Sequence, residues 1–283
     1  MAFSSSCGDR KVVISDLDCI QVFKINDSPK VSAAAGLQLQ SQAATDDDVT
    51  VEEFEEPPPY VIVVHGPRKV DKSVLIRSLV KHYTDENHNF WFTPELVMII
   101  SGERRRLQFV ECPNSVKGMR DAAKYADAVI LLIDAYVGFQ METFEFVNIL
   151  RVHGMPKVIG VLTSLDMFDN VKEQTETKEH LMNYFQTEIY QGAGLFCLSA
   201  PEFGIYQKHE IGNLGSFILA MKFHPLSWRA ALPYVLVDHF VDVTRPERVL
   251  MDNSCNRDVV LYGYLRGCDI SRGAKVFLLN TSL

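Results

Sequence analysis

The chain has 283 residues, of which 47% are hydrophobic and 23% charged, a composition typical of a soluble protein with room for one large or two modest domains. Its formal charge of −8 is unevenly spread, because residues 1–59 hold four basic and eleven acidic residues, a net of −7. The remaining 24 basic and 25 acidic residues nearly cancel, which argues against a broad nucleic-acid-binding surface as the main feature of the folded part.

The cysteine pattern and the lack of long apolar runs point to an intracellular protein. Six cysteines, at positions 7, 19, 112, 197, 255 and 268, form no C-x-x-C pair, which predicts reduced thiols. No apolar run reaches the length of a membrane span, and the N-terminus lacks the features of a secretory signal. We therefore expect no membrane association.

Residues 1–59 are predicted to be an acidic, mostly disordered N-terminal extension. Lys11–Ile14 and Ile20–Ile25 are candidates for short strands. Seven of the eleven residues in 46–56 are acidic, and such a run is more often a solvated segment than a site for a specific partner. Three prolines, 57–59, stiffen the approach to the first long strand.

The next stretch has the order that a phosphate-binding loop requires. Tyr60–Val64 is a short β-branched run that predicts a buried strand, and a turn follows from Gly66 to Asp71. The segment after the turn has an apolar helical face made of Leu75, Ile76, Leu79, Val80 and Tyr83. This matches G-x-x-x-x-G-K-[ST] except at the second glycine. The predicted phosphate-binding residues are Gly66, Lys69, Val70, Asp71, Lys72 and Ser73.

Asp71 is the departure that limits the functional prediction. Aspartate tolerates left-handed backbone angles, so the loop shape can survive the loss of glycine. A carboxylate about 5 Å from a phosphate oxygen costs roughly 3 kcal/mol at an effective dielectric of 20, on the order of a hundredfold in affinity. Lys72 and Mg²⁺ would screen part of this cost. Two alternatives are that Asp71 pairs with the Lys72 ammonium, or that the segment is only a capped helix start.

Strands and helices alternate through the rest of the first 226 residues. The predicted strands are Leu96–Ile100, Leu107–Val110, Ala128–Ile133, Val158–Leu162 and Leu195–Leu198. The predicted helices are one through Met119 and Ala123, then Met141–Val152, Val171–Glu188 and Ile211–Met221. Arg104–Arg106 would lie at the tip of the first hairpin, where a solvated tip is favoured over an RNA or protein contact.

This alternation predicts an α/β domain over residues 60–226, with a mostly parallel sheet and helices on both faces. Ligands of such sheets bind at the carboxyl ends of the strands. The informative polar residues follow predicted strands there; they are Gly66, Glu111, Thr163, Asp166 and Ser199.

Residues 227–283 have a different pattern. Tyr234–Phe240, Val259–Leu265 and Lys275–Leu279 are predicted strands without an intervening helix, punctuated by glycines. We interpret this segment as the start of a β-barrel domain.

Several long strings resemble the Bms/Tsr family of eukaryotic ribosome-assembly GTPases, the Bms branch in particular. They are LQFVECPN (107–114), DAAKYADAVILLIDAYVGFQMETFEF (121–146), VHGMPKVIGVLTSLD (152–166), TEIYQGAGLFCLS (187–199), MKFHPLSW (221–228) and VVLYGYLRG (259–267). The resemblance implies a P-loop GTPase domain of the translation-factor type followed by a β-barrel. It further implies binding of GTP or GDP with Mg²⁺ and a nuclear, nucleolar role in small-subunit assembly. Its implied partners are assembly factors and precursor rRNA, and we expect a monomer.

The family's base-reading and metal-binding elements match this chain only in part. In the N/T-K-x-D element, Thr163 and Asp166 match, but Ser164 replaces the lysine. Ser199 and Ala200 match the last guanine-contacting element. Ser73 and Glu111 would be the Mg²⁺ ligands, with Glu111 opening the element that is otherwise D-x-x-G.

Other departures leave hydrolysis open. Asn114 replaces the glycine that senses the γ-phosphate, and the water-positioning histidine would fall near Ser115, so no catalytic residue is evident. One hypothesis is a slow GTPase that acts in ribosome assembly. The second is a non-hydrolysing pseudo-GTPase scaffold, favoured by Asp71 and Ser164 as well, and the third is a truncated paralogue or gene fragment. Members of the Bms branch are far longer and carry a basic N-terminal arm.

Overall fold

The computed structural model describes residues 10–14, 59–68, 70–84, 97–101, 105–252, 255–256 and 258–270. The predicted strands Ile20–Ile25 and Lys275–Leu279 and the acidic run at 46–56 lie outside these ranges.

The described residues form nine strands in two sheets. The strands are β1 Arg10–Ile14, β2 Tyr60–His65, β3 Val97–Ser101, β4 Arg105–Glu111, β5 Ala128–Asp134, β6 Lys157–Thr163, β7 Leu195–Cys197, β8 Tyr234–Asp242 and β9 Val259–Arg266. The larger sheet has the order β3-β4-β2-β5-β6-β7, in which only the β3–β4 pair is antiparallel. The predicted α/β fold with a mostly parallel sheet is therefore confirmed.

Seven α-helices and one 3₁₀ turn connect these strands in the described ranges. They are α1 Lys72–Thr84, α2 Val116–Tyr125, α3 Met141–Val152, α4 Val171–Glu188, α5 Lys208–Ala220, α6 Ser227–Ala230 and α7 Pro246–Met251, with the 3₁₀ turn at Leu165–Met167. The predicted bounds of α3 and α4 agree with the structure. Among the described helices, none has the length and apolar character needed to cross a lipid bilayer.

The strand β2 lies between β4 and β5 and is buried on both faces, as strands of parallel sheets commonly are. Its side chains alternate between two cores. Val61 and Val63 face the core formed with α2, α3 and α4, whereas Ile62 and Val64 face the core formed with α1 and α5. The helices therefore cover both faces of the sheet, as the alternation of strands and helices predicted.

The second sheet has the order β1-β9-β8 and is antiparallel throughout. The strand suggested for Lys11–Ile14 is present as β1, which pairs with β9 along its whole length. At the end of β9, Gly267 has a φ of 82°, and a Cβ there would lie 2.1 Å from the carbonyl oxygen of Leu232. Glycine therefore allows the chain to leave β9 against the segment that precedes β8.

Two details of the sequence prediction were wrong. The helix α7 lies between β8 and β9, where no helix was expected. Arg105 and Arg106 belong to β4 rather than to a hairpin tip. The Arg106 guanidinium donates a hydrogen bond to the Tyr264 hydroxyl of the second sheet, and lies 5.7 Å from the centroid of that ring. The packing of the second sheet against β4 therefore uses a residue that the local pattern assigned to solvent.

A buried ionic cluster joins the two sheets, and Asp127 is at its centre. One carboxylate oxygen accepts from Arg266 Nη1 at 2.8 Å and from the backbone N–H of Val61 at 2.8 Å. The other lies 3.4 Å from Arg229 Nη1. Arg266 also donates to the Pro59 carbonyl at 2.7 Å. Both guanidinium groups are nearly inaccessible, since the exposed fraction is 2% for Arg229 and 7% for Arg266.

Arg229 also stabilises the end of α2. Its Nη2 donates to the carbonyls of Ala123 and Ala126 at 3.2 and 2.8 Å, at the negative end of the helix dipole. The Asp127 carboxylate, these terminal carbonyls, the Pro59 carbonyl and the Tyr234 side chain thus compensate two buried cations.

We expect Asp127→Ala to lower the free energy of unfolding by about 3–5 kcal/mol, because it leaves two buried guanidinium groups without their carboxylate. Chemical denaturation monitored by circular dichroism measures this change. The matched control is Asp258→Ala, which removes a solvent-exposed pair with Arg248 at 3.0 Å. The control should cost less than about 1 kcal/mol. Equal losses in the two variants would contradict the role given to Asp127.

Candidate nucleotide-binding site

The predicted phosphate-binding loop runs from the end of β2 to the start of α1. A Cβ on Gly66 would lie 2.9 Å from Cβ of Leu132, so the close approach of β5 requires glycine here. Val70 is buried, and its N–H donates to the Pro67 carbonyl at 3.1 Å. The carbonyl of Val70 accepts from the N–H of Lys72 at 2.9 Å. Lys69 lies outside the described residues.

Lys72 is buried and its ammonium group points back into the loop. Its Nζ donates to the carbonyl of Gly66 at 3.3 Å and contacts Oδ1 of Asn114 at 3.5 Å. It also lies 3.8 Å from Oε1 of Glu111. The structure thus brings the loop lysine together with Glu111, the last residue of β4, and with Asn114 just beyond it.

Glu111 contacts both residues at the start of α1. Its Oε2 accepts a hydrogen bond from Ser73 Oγ at 2.6 Å, in addition to the Lys72 ion pair through Oε1. The suggestion that Asp71 pairs with Lys72 is wrong, since Glu111 takes that role. Asp71 is exposed, and its carboxylate forms no hydrogen bond or ion pair with another described residue.

The predicted guanine-binding residues at the carboxyl end of β6 are partly buried and partly exposed. Thr163 is the last residue of β6, and its hydroxyl donates to the Ile133 carbonyl at 3.4 Å. Ser164 adopts a left-handed backbone conformation with a φ of 61°. Asp166 follows in the 3₁₀ turn and is exposed. Within the T-x-x-D element, Asp166 is therefore accessible to a ligand, whereas Thr163 is buried.

The third region, after β7, is held by a residue that the sequence analysis missed. Glu210, near the start of α5, accepts from both the N–H and the hydroxyl of Ser199, at 2.9 and 2.6 Å. Ser199 is thus fixed by the protein itself, whereas Ala200 is exposed. The predicted helix began at Ile211, so Glu210 was assigned to a loop and carried no recognisable signal.

Tyr206 is a second residue that sequence reasoning did not identify. Its side chain is buried, and its N–H donates to the Ser78 hydroxyl at 3.1 Å. Burial, followed by the negative charges of Asp71, Asp166 and Glu210, raises the pKa of Tyr206 to about 12. These three carboxylates come from the phosphate-binding loop, the 3₁₀ turn after β6 and the first turn of α5, so three separate segments bring negative charge towards Tyr206.

The two residues that replace expected hydrolytic groups have structural roles. Ser115 is the N-cap of α2 and accepts from the N–H of Gly118 at 3.1 Å. Asn114 contacts Lys72, as described above. Neither side chain is a general base, and both are already engaged by the protein.

His65, the last residue of β2, is buried beside the loop and was also missed. Its Nε2 donates to the Glu142 carbonyl at 3.3 Å, and its ring lies 4.3 Å from that of Phe146. Its Nδ1 has no hydrogen-bond partner among the residues that the structure describes. Burial lowers the pKa of His65 to about 4; the Glu142 carbonyl opposes this shift and the Lys72 charge adds to it. The ring is therefore neutral at physiological pH.

Comparison with protein-family models assigns both parts of the chain. Residues 60–199 match the model "Tsr1, G-like domain", and residues 222–281 match the "AARP2CN (NUC121) domain". The chain belongs to the Bms/Tsr family. The recognition made from the sequence strings is thereby confirmed.

Curated relatives support the same assignment. The chain is 48% identical over 223 residues to "Ribosome biogenesis protein BMS1 homolog" of Homo sapiens. It is 46% identical over 218 and 215 residues, respectively, to the "Ribosome biogenesis protein" bms1 of Schizosaccharomyces pombe and BMS1 of Saccharomyces cerevisiae. These matches cover 75–79% of this chain but only 17–19% of each relative, so the chain spans less than a fifth of their length.

The depressed pKa of His65 predicts acid-sensitive stability. The folded protein keeps the ring neutral, while the unfolded chain protonates it below a pKa of about 6.5. The stabilisation is therefore fully present above pH 6.5 and is lost as the pH falls towards 4, on the order of 3 kcal/mol in total. Denaturation midpoints measured between pH 7 and pH 4 report this loss.

The control separates His65 from other titrating groups. In His65→Gln the pH dependence over this window should become shallower, whereas His224→Gln, at an exposed position, should retain it. If His65→Gln has the wild-type pH profile, burial of this imidazole is not the cause.

Proposed function

We propose that this chain is a guanine-nucleotide-binding module with weakened affinity that acts in ribosome assembly and does not hydrolyse GTP. The observation that carries this proposal is the group formed by Lys72, Ser73 and Glu111 at the carboxyl end of β2 and β4. It retains the side chains that a P-loop uses, and an exposed carboxylate, Asp71, lies directly before them.

The phosphate end fits a nucleotide bound through the loop. Backbone N–H groups of the loop, with those of Lys69 and Val70 among them, would surround the phosphates at the positive end of α1, and the N–H of Val70 would exchange the Pro67 carbonyl for a phosphate oxygen. Lys72 would exchange its contact with Asn114 for a phosphate oxygen.

The Mg²⁺ ligands fit the same place. Ser73 Oγ and the Glu111 carboxylate are hard oxygen donors that already lie 2.6 Å apart, and Mg²⁺ prefers such ligands together with phosphate oxygens. Ser73 would contact the ion directly and Glu111 would hold it through water. When bound, the ion would neutralise phosphate charge next to Glu111.

The base end fits guanine through fewer contacts. The exposed carboxylate of Asp166 can accept from the two N–H groups of the base edge, while Thr163 supports the strand end. Because Glu210 uses the N–H of Ser199, contact with the base oxygen falls to the backbone of Ala200. Ser164, in place of a lysine, offers no long stem to pack on the base.

Ser115 stands where a water-positioning histidine was expected, which supports the non-hydrolysing assignment. Catalysis in GTPases consists mainly of phosphate positioning and electrostatic stabilisation. Here Asp71 adds negative charge where the reaction already accumulates it, and Ser115 is committed to the cap of α2.

The cellular role follows from the relatives. Their names describe ribosome biogenesis proteins, and we extend that role to this chain, with small-subunit assembly factors and precursor rRNA as partners. The protein would then be nuclear and nucleolar, and monomeric. Residues 60–226 would be the GTPase-like domain, 227–283 the start of a β-barrel domain and 1–59 an acidic extension.

Titration of fluorescent GDP in the presence of Mg²⁺ tests the binding proposal. Asp71→Gly should tighten binding by about 10- to 100-fold, because it removes a carboxylate near the phosphates and restores the glycine. Lys72→Ala in the Asp71→Gly background should abolish the gain. The control is Asp252→Gly, which removes an exposed carboxylate directly after α7. It should leave the nucleotide affinity unchanged.

The outcomes separate the alternatives. Micromolar or tighter binding by the natural chain would contradict the weakening assigned to Asp71. If neither the natural chain nor Asp71→Gly binds, the base pocket is lost and only a scaffold role is left.

A single-turnover assay with radiolabelled GTP tests hydrolysis separately. We expect Asp71→Gly to bind GTP without forming GDP above the rate of the buffer blank. Measurable turnover by this variant would show that a hydrolytic group is present and would restore the slow-GTPase hypothesis.

A further inference from the structure

We propose that a short surface at the carboxyl ends of β5 and β6 docks a basic, amphipathic segment of a protein partner. We call it the apolar surface; it consists of Tyr136, Val137, Met141, Met167 and Val171. These side chains are between 58% and 75% exposed. It borders Asp166, the proposed guanine-contacting residue, and docking at it requires no bound nucleotide.

Two adjacent connections build this surface. Tyr136, Val137 and Met141 lie between β5 and the first turn of α3, while Met167 and Val171 lie between β6 and the first turn of α4. The strands β5 and β6 pair up to Asp134 and Thr163, so the two connections leave the sheet side by side. The ring centroids of Tyr136 and Phe168 lie 5.9 Å apart and link them.

The backbone beneath the exposed side chains is held firmly. Asp134 Oδ1 accepts from the N–H groups of Tyr136 and Val137 at 2.9 and 3.4 Å, and its carbonyl accepts from Gly138 at 2.8 Å. Phe139 anchors the same connection by packing 4.9 Å from the ring of Tyr184. Binding to such a surface costs little ordering of the backbone.

The second connection is also fixed. Gln174 Nε2 donates to the Leu165 carbonyl at 2.7 Å, which ties α4 to the 3₁₀ turn that carries Met167. Asn170 is the N-cap of α4, and its side chain accepts from the N–H of Lys172 at 3.0 Å.

The charges at the border of the apolar surface indicate which charge a partner should carry. Asp166 and Asp169 are exposed on either side of Met167, and Glu142 follows Met141. Lys172, next to Val171, has its charge paired with Glu176 at 3.9 Å. An apolar centre with a negative border is complementary to a segment whose apolar residues are flanked by Lys or Arg.

The same border disfavours other occupants. A second copy in a two-fold contact would bring the two acidic borders together, and the repulsion between like charges disfavours that pairing. Nucleic acid and anionic lipid would be repelled by the carboxylates.

Fluorescence anisotropy with a labelled amphipathic helix of leucine and lysine tests the proposal on the full chain without nucleotide. Met167→Gln/Val171→Thr should weaken binding by about tenfold or more, since buried anchor residues carry most of the energy of such contacts. Tyr136→Ser, on the other connection, should weaken it as well. An otherwise identical peptide with glutamate for lysine should bind at least about tenfold more weakly.

The matched control is Met251→Gln/Val152→Thr, which makes the same two changes at positions that are 90% and 84% exposed elsewhere. It should leave the peptide affinity within about twofold of the natural chain. An equal loss in this control, or equal binding of the glutamate peptide, would overturn the proposal. Sedimentation velocity that shows self-association removed by Met167→Gln/Val171→Thr would assign the surface to a second copy and also overturn it.

Discussion

Burial of the strand Tyr60–His65 on both faces is the constraint on which the remaining structure depends. Its alternating side chains need two apolar layers, and the helices on either side supply them. Parallel neighbours then bring the ends of β4 and β5 to the same edge as the phosphate-binding loop. These strands are packed so closely that only glycine fits beside Leu132 at position 66. The candidate site is therefore a consequence of how the sheet is buried.

The electrostatics of this edge explain why a retained loop need not be a strong nucleotide site. Lys72 is buried and already has Glu111, Asn114 and a loop carbonyl as partners. Negative charges from Asp71, Asp166 and Glu210 all act on Tyr206, so residues predicted to bind the phosphates and the base share one electrostatic environment. A nucleotide adds further negative charge, so Mg²⁺ and the positive end of α1 would have to offset it. The same negative edge makes the neighbouring apolar surface complementary to a basic partner.

At the opposite end of the sheet, Asp127 fixes how the antiparallel sheet is attached. Arg266 reaches it from β9 and Arg229 from α6. Arg266 also donates to the carbonyl just before β2, and Arg229 to a carbonyl near the end of α2. These charges are paired deep in the protein, where removing one partner leaves the others buried without a counter-charge. Arg106 and Tyr264 add a second contact between the sheets. The two family-model matches, 60–199 and 222–281, therefore belong to parts that are packed against each other in this structure.

Local patterns were sufficient for most elements of the larger sheet and for the family, but not for α7 or for the start of β4. The β-branched run of β2, the apolar periodicity of α3 and α4 and the order of strand, loop and helix all depend on residues close in sequence, and they predicted the parallel fold and Lys72, Ser73 and Asp166. Residues that act across the sheet were not predictable. Glu111 replaced Asp71 as the partner of Lys72, Glu210 holds Ser199, and Arg106 pairs with Tyr264 rather than with solvent. Only the tertiary structure decides such pairings, because hydrogen bonds and ion pairs form between groups that the fold brings within about 3–4 Å, whatever their separation along the chain.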